Sequence, residues 1–405
     1  MALPNLQFGL EFEFVAPPFA EIVMFKERQT MAVNQNIRRE GCFYHLAMKL
    51  QENGLPAAMD MIVDESECQE NPYRNKAPAG SLVGEDLRVM DPATIPDKDD
   101  PVQIHFHYWM FKPECDLTEE KMYDIWSQME LNTPILPETE AIAGFPRVDK
   151  ALELIAQAHD SGVHINHKCG LHVQISPVSG LEVEQARKVV TIVYLVEHSL
   201  LFQLCHPSRR HRHQPISRSR FATLDRGFPP SRNEILDIEL RNWMPLTFLN
   251  VHGNRLRNAW GANDAMEDIR SSLIIRGSKR GDPCSAFNIT RHGHGHDRST
   301  YTLQFRHAQS SFKRDFVANW TRLLLTIAKI GCLPAPEFKA VVELLWEVVK
   351  VNPRPKDCWR HLLRILAGAP GGEQLMLDEA FWDGRLRDYE KGYPDVVEGK
   401  AALCG

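Results

Sequence analysis

Two carboxylates stand one residue apart in Phe8-Gly9-Leu10-Glu11-Phe12-Glu13-Phe14. In an extended strand, residues two apart share a face. Phe8, Leu10, Phe12 and Phe14 therefore make an apolar back, and Glu11 and Glu13 a charged front. Neighbouring carboxylates repel, and they stay ionised only when water, a base or a cation compensates them. Hard divalent cations such as Mg²⁺ take oxygen ligands, so this front is a candidate metal wall. The same pattern also describes a strand with one wet face and two ordinary surface acids.

Two further segments alternate in the same way. Cys169-Gly170-Leu171-His172-Val173-Gln174-Ile175-Ser176 puts His172, Gln174 and Ser176 on one face. Tyr301-Thr302-Leu303-Gln304-Phe305-Arg306-His307 joins Thr302, Gln304 and Arg306, with Tyr301, Leu303, Phe305 and His307 behind. The planar fork of Arg306 suits an anionic group; alternatively it balances an acid such as Glu11. One concave sheet face lined by Glu11, Glu13, His172 and Arg306 accounts for all three patterns together.

Other groups are candidates of a lesser kind. Arg209, Arg210, Arg212, Arg218, Arg220 and Arg226 crowd one segment. They can meet nucleotide phosphates, an anionic substrate or a tRNA acceptor end, or lie in a solvated loop. His292, His294 and His296 imitate a metal tract but read better as an exposed hairpin loop. Cys169 is either a thiol nucleophile or a small buried residue, and the second is the simpler reading. No Walker A loop, Gly-x-Gly-x-x-Gly or Gly-x-Ser-x-Gly motif is present.

The elements that must hold these groups follow from periodicity. Strands are predicted at 8–14, 58–63, 102–111, 171–176, 286–290 and 301–307. Helices are predicted at 42–50, 119–131, 148–159, 183–204 and 316–330. Residues 15–36 are expected to form a loop. Residues 68–100, rich in Pro, Gly, Asn and Asp, predict a long loop or lid. Residues 335–400 read as helical. Isolated strands between helices of varied length fit an α+β domain with an antiparallel sheet. That domain is expected at 1–333, with a C-terminal helical extension at 334–405.

Composition bounds the function. The chain has 405 residues, 43% hydrophobic and 25% charged, enough for a substantial core. A net charge of −6 argues against a general nucleic-acid binder. Nine cysteines without a CxxC pair point to a reducing compartment and exclude a zinc ribbon. Met-Ala-Leu-Pro-Asn has no basic n-region, so no signal peptide is expected. The longest apolar run, Val189–Val196, is too short to span a bilayer. A cytoplasmic protein with no membrane partner is the expectation.

Phe8-Gly9-Leu10-Glu11-Phe12-Glu13, Gly170-Leu171-His172-Val173 and Thr302-Leu303-Gln304-Phe305-Arg306-His307 together resemble the three signature strands of the amidoligases, the fungal type in particular. That family lies in the carboxylate–amine ligase superfamily of glutamate–cysteine ligase and glutamine synthetase. Asp64-Glu65-Ser66, His206-Pro207-Ser208-Arg209 and Phe287-Asn288-Ile289 fit in order, and the resemblance spans residues 6 to 330. It implies an antiparallel sheet curled into a funnel or half-barrel, with helices packed outside. It implies ATP and Mg²⁺ as cofactors, and a small-molecule carboxylate and amine joined through an acyl phosphate. Glu11 and Glu13 would then be metal ligands. His172 would contact metal or nucleotide, and Arg306 a phosphate. Gln174, Gln304, Asn288, Arg209, Arg218 and Arg220 would bind substrate or nucleotide.

The chain departs from the family pattern at three places. Gln304 stands where the family has an acid, and Gln174 where it has a second histidine. The glutamate usual near the third strand is missing from His107-Tyr108-Trp109-Met110-Phe111-Lys112-Pro113. Two other readings follow. In one, amide formation uses a preactivated acyl donor such as aminoacyl-tRNA, without ATP. In the other, the scaffold binds a small molecule without catalysis.

Overall fold

The computed structural model describes residues 3–17, 31–60, 82–83, 87–97, 103–114, 117, 126–158, 162–210, 212–219, 238–261, 265–275, 285–293, 300–351 and 358–390. The apolar back of the first strand decides the architecture. Phe8, Leu10, Phe12 and Phe14 are all buried, and the strand that carries them, β1 (Leu6–Ala16), lies inside the sheet. The other strands are β2 (Ala57–Asp60), β3 (Leu82–Val83), β4 (Leu87–Val89), β5 (Trp109–Pro113), β6 (Ser127–Asn132), β7 (Leu136–Pro137), β8 (Gly170–Pro177), β9 (Phe287–His292) and β10 (Thr300–Gln309). Among the described residues these ten strands form one sheet in the order β3-β4-β2-β5-β6-β1-β8-β10-β9, with β7 paired to β1.

The fold is α+β, as expected, and the sheet is curved and open rather than a closed barrel. It is mixed rather than wholly antiparallel, because β2 and β5 run parallel. The reason is connectivity. β4 occupies the outer side of β2 in antiparallel register, so the chain returns to the inner side by a long crossover, which a parallel pair requires.

Helices cover the apolar back. Val183–Val196 continues through a π-helical turn, Glu197–Leu201, into Phe202–Leu204. Arg314–Gly331 packs beside it with nearly every residue buried. The helices Ala335–Val351, Cys358–Ala367 and Glu379–Glu390 bear out the helical reading of the C-terminal part. They contribute Phe338, Leu345, Trp359, Leu362 and Trp382 to the same core as the sheet. Gln309, at the end of β10, ties the last helix to the rest. Its Nε2 donates to the Tyr389 hydroxyl at 2.7 Å, and its Oε1 accepts the His206 N–H at 3.0 Å. No helix among the described residues is long and apolar enough to cross a membrane.

Several elements differ from expectation. The helix expected at 119–131 is a strand where it is described: Ser127, Met129 and Leu131 are more buried than Gln128, Glu130 and Asn132, a period of two. Pairing with β1 on one side and β5 on the other overrides the helical preference of Met, Glu and Leu. The strand expected at 102–111 starts only at Trp109, after a 3₁₀ turn at Ile104–His107. That turn closes through the Phe106 N–H on the Gln103 carbonyl. The helix expected from residue 42 starts at Met31, so it takes up part of the expected loop. Within the expected loop 68–100, Leu82–Val83 and Leu87–Val89 are strands, while residues 68–81 lie outside the described residues. Residues 61–63 and the Asp64-Glu65-Ser66 segment also lie outside them.

Candidate functional site

Strand register brings the charged fronts together. β1 and β8 place Glu11 opposite His172 and Gly9 opposite Gln174. β1 and β6 place Glu13 opposite Glu130. β8 and β10 place Gln174 opposite Gln304. His172 Nδ1 lies 2.9 Å from Glu11 Oε2, and its Nε2 lies 3.3 Å from Glu13 Oε1. The Gly170 N–H donates to Glu13 Oε2 at 2.6 Å.

Arg306 reaches the site through an irregularity. The register of β10 against β8 shifts between Phe305 and Ala308, a bulge of the kind that re-aims a side chain beside a site. The Arg306 N–H donates to the Ala286 carbonyl at 2.7 Å. His307, the next residue, falls on the core side, 3.1 Å from the buried Glu197.

A cavity of about 190 Å³ is lined by groups of both charges. Glu13, Glu114, Glu130 and His172 make one set, the acids with a histidine; Arg209, Arg212, Arg306 and His213 make the other, the arginines with a histidine. Arg209 follows the long helix in the turn Pro207–Arg209 and is 1% exposed. Its Nη1 donates to the Lys168 carbonyl at 2.7 Å, and its Nη2 to His213 Nε2 at 3.3 Å. Burial lowers its pKa to about 10, partly offset by Glu13, so it stays cationic near neutrality. The Nε atoms of Arg209 and Arg306 are buried with no hydrogen-bond partner among the described residues. His213 accepts from a guanidinium and is neutral. Burial, then Arg209 and Arg306, push its pKa far down.

The two acids that face His172 and β6 behave oppositely. Burial alone would raise the Glu11 pKa. Hydrogen bonding and charge from His172, the Gln174 amide and Arg306 outweigh burial and hold it at about 2. Glu130 is pushed well above the usual carboxylate range by burial and by Glu11, with further repulsion from Glu13 and Glu114.

This donor set fits a hard divalent cation. Glu11, Glu130 and His172 form one group of converging ligand atoms, and Glu13, Glu114 and Glu130 another, each within 4.8 Å. Glu130 belongs to both, and a cation there would offset the acid–acid repulsion that helps to raise its pKa. With a cation bound, His172 would donate Nδ1–H to Glu11 and offer Nε2 as the ligand atom, the arrangement usual for a metal-ligating histidine. That Nε2 is buried without a hydrogen-bond partner.

The remaining candidates divide. Gln174 lies inside the site and donates to Glu11. Gln304 is 7% exposed, and its Oε1 accepts from Thr290 at 3.1 Å. Asn288 shares the site face opposite Gln304, and its Oδ1 accepts the Ile289 N–H at 2.9 Å, but it does not line the cavity. Arg218 does not belong to the site. It is exposed and donates to Gln214 at 2.7 Å, because buried Ile216 turns the chain away. Arg210 donates to the Gln203 carbonyl. Arg220, Arg226, His294 and His296 lie outside the described residues. Cys169 is fully buried, and burial pushes its thiol up to about 12, so it is no nucleophile.

Sequence reasoning missed Glu130, Glu114 and His213. The signal for Glu130 was the alternation of Gln128, Glu130 and Asn132, visible only once 127–132 is read as a strand. Glu114 follows β5 directly, two residues after Lys112, which pairs with Glu130. His213 carried no local signal.

A family model described as "putative amidoligase enzyme" matches residues 4–242 of the chain. The matched span carries β1 to β8, the acid set, Arg209 and His213. Comparison with curated proteins gave no match.

Proposed function

The chain belongs to the amidoligase family, and on that premise we propose that it joins a small carboxylate to an amine, with ATP supplying the activating phosphoryl group. The observation that carries this reading is that acids and arginines together line one small cavity. Phosphoryl transfer needs both signs of charge: carboxylates to hold cations, and guanidiniums to meet the phosphate oxygens. At about 190 Å³ the cavity is smaller than the roughly 300–1,000 Å³ of a drug-sized site. It suits cations and a transferring phosphoryl group rather than an entire nucleotide.

In this reading Glu11, Glu13, Glu114, Glu130 and His172 hold Mg²⁺. When bound, Mg²⁺ supplies charge neutralisation at the phosphates and orients them. Arg306, Arg212 and Arg209, which line the same cavity, would steady the anionic groups. A carboxylate oxygen attacks the γ-phosphorus and ADP leaves. The amine then attacks the acyl carbon, phosphate departs and the nitrogen loses a proton. We read the chain as a fungal-type member of the carboxylate–amine ligase superfamily. Three polar-fronted strands meeting on one curved face support that.

A preactivated acyl donor, aminoacyl-tRNA among them, is the second reading. The acids missing at Gln304 and near the third strand, together with the arginine-rich segment, motivate it. Glu130 and Glu114 bring acids back to the site from β6 and the end of β5, which favours the ATP-dependent reading. Calorimetry with Mg²⁺ and ATP, combined with hydroxylamine trapping of an acyl phosphate, tests it. The expected result is Mg²⁺-dependent ATP binding and a hydroxamate product. A wild type that binds no Mg²⁺–ATP but turns over an activated acyl donor overturns the first reading for the second.

A further inference from the structure

Glu11 is reached by a directional chain of hydrogen bonds whose members lie on four strands, β1, β8, β10 and β9. Gln174 Nε2 donates to Glu11 Oε1. Gln174 Oε1 accepts from the Thr302 hydroxyl at 2.8 Å. The Thr302 oxygen lies 2.9 Å from His292 Nε2. Each direction is forced by chemistry. An ionised carboxylate only accepts, so the Gln174 amide must turn its NH₂ to Glu11 and its carbonyl away. The Thr302 hydroxyl has one hydrogen, and it goes to that carbonyl. Thr302 can then only accept from His292, which fixes the His292 proton on Nε2. The His292 ring is held edge-on to Phe106, with centroids 5.2 Å apart.

We infer that His292 and Thr302 are positioning residues: they lock the Gln174 amide nitrogen onto Glu11 and so hold the plane of the Glu11 carboxylate. Gln174 then turns its NH₂, rather than its carbonyl oxygen, towards the acids, because that oxygen accepts from Thr302. Glu11 is gripped at both oxygens, by Gln174 at Oε1 and by His172 Nδ1 at Oε2. Each oxygen keeps a second lone pair for a ligand, now at a fixed angle. Outer partners of this sort commonly change metal affinity by about 10–100-fold. The cation part of this inference rests on the ligase reading; the orientation of the chain does not.

The experiment uses the full chain labelled with ¹⁵N-histidine, and Mn²⁺ alone as the probe. The His292 signals are assigned by comparison with His292→Phe. Wild type should show His292 as the neutral Nε2–H tautomer. Thr302→Val keeps the shape of the side chain and removes the hydroxyl, so the tautomer preference should disappear and Mn²⁺ should bind about tenfold or more weakly. His292→Phe should weaken Mn²⁺ similarly, and Thr302→Ser should restore it, with melting temperatures close to wild type throughout. An Nδ1–H tautomer in wild type overturns the inference, and so does a Thr302→Val variant that binds Mn²⁺ as tightly as wild type. A wild type with the Nε2–H tautomer that binds no Mn²⁺ supports the lock and overturns the ligase reading instead.

Discussion

Gly170 and Arg209 approach so closely that no side chain fits between them. A Cβ on Gly170 would lie 2.6 Å from Arg209 Nη2 and 2.8 Å from His172 Nε2. The acid set and the arginine set meet at this one residue, whose N–H also holds Glu13. Arg209 has little room to retreat, because it is buried and bonded to the Lys168 carbonyl. Gly170→Ala should therefore lower turnover at least about tenfold and destabilise the fold by about 1–3 kcal/mol, the usual effect of overpacking. Gly9→Ala is the matched control on the same sheet face. Its nearest neighbour, Thr133 Oγ1, would be 4.0 Å away, and activity should stay near wild type. Kinetics and urea melts of the two variants decide whether close approach is the reason.

Glu130 should trade stability for cation binding. Its carboxyl is raised by burial and by the neighbouring acids. A group with a raised folded pKa gives stability that is complete below its unfolded pKa and is lost as pH rises through the folded one. Glu130→Gln removes that loss. The apo variant should melt higher than wild type at neutral and alkaline pH, and equally at acid pH. Its Mg²⁺-dependent turnover should fall. Equal melting at all pH values would refute the strained-acid account.

Glu11→Gln and Glu13→Gln keep size and remove charge. Each should fold and lose Mg²⁺-dependent turnover by more than about 100-fold, since even outer partners of a metal are worth about 10–100-fold. In Glu13→Gln the new amide carbonyl can still accept the Gly170 N–H. The reverse change, Gln304→Glu, adds an acid on the same face and should tighten Mg²⁺ binding by calorimetry. Unaltered Mg²⁺ affinity in all three variants would remove the metal wall from the mechanism.

The buried pair Glu197 and His307 sets a pH window for stability. Burial raises the Glu197 carboxyl from 4.5 to about 8, although His198 and the Ile216 N–H pull it down in part. Burial lowers His307 from 6.5 to about 3. Burial thus pushes each group towards its neutral form across a 3.1 Å contact between Glu197 Oε1 and His307 Nε2. For Glu197 the stability present below about 4.5 drains away as pH rises to about 8. For His307 the stability present above 6.5 drains away as pH falls towards 3. Shifts of this size are worth on the order of a few kcal/mol. Glu197→Gln should flatten the urea midpoint between about pH 5 and 8 and leave the acid limb in place. An unchanged alkaline slope would assign that slope to other groups.

What could be read in advance followed from contrast between faces. β1, β8 and β10 each have an apolar back and a polar front, so their period of two survives in the bare sequence. Their shared face was legible for the same reason. β6 was not, because Met, Glu and Leu are good helix formers and only its two neighbours in the sheet make it extended. Glu130 was lost with it. Arginine density drew attention to Arg209 and Arg218 alike, but density carries no direction. Buried Ile216 sends one outward, and the turn Pro207–Arg209 sends the other in. The bulge in β10 and the acceptor role of His213 depend on partners far away in the chain.

The position of β1 also shapes how the protein is born. This strand is made well before its partners: 161 residues separate Glu11 from His172, and 123 separate Leu10 from Thr133. Contacts so distant form slowly. Until they form, β1 is a bare hydrophobic edge that invites pairing with other nascent chains. Glu11 and Glu13 are charges set within that edge, and interspersed charge is what keeps such segments from associating. The two carboxylates thus place charge in this strand before its partners arrive, in addition to their part in the site.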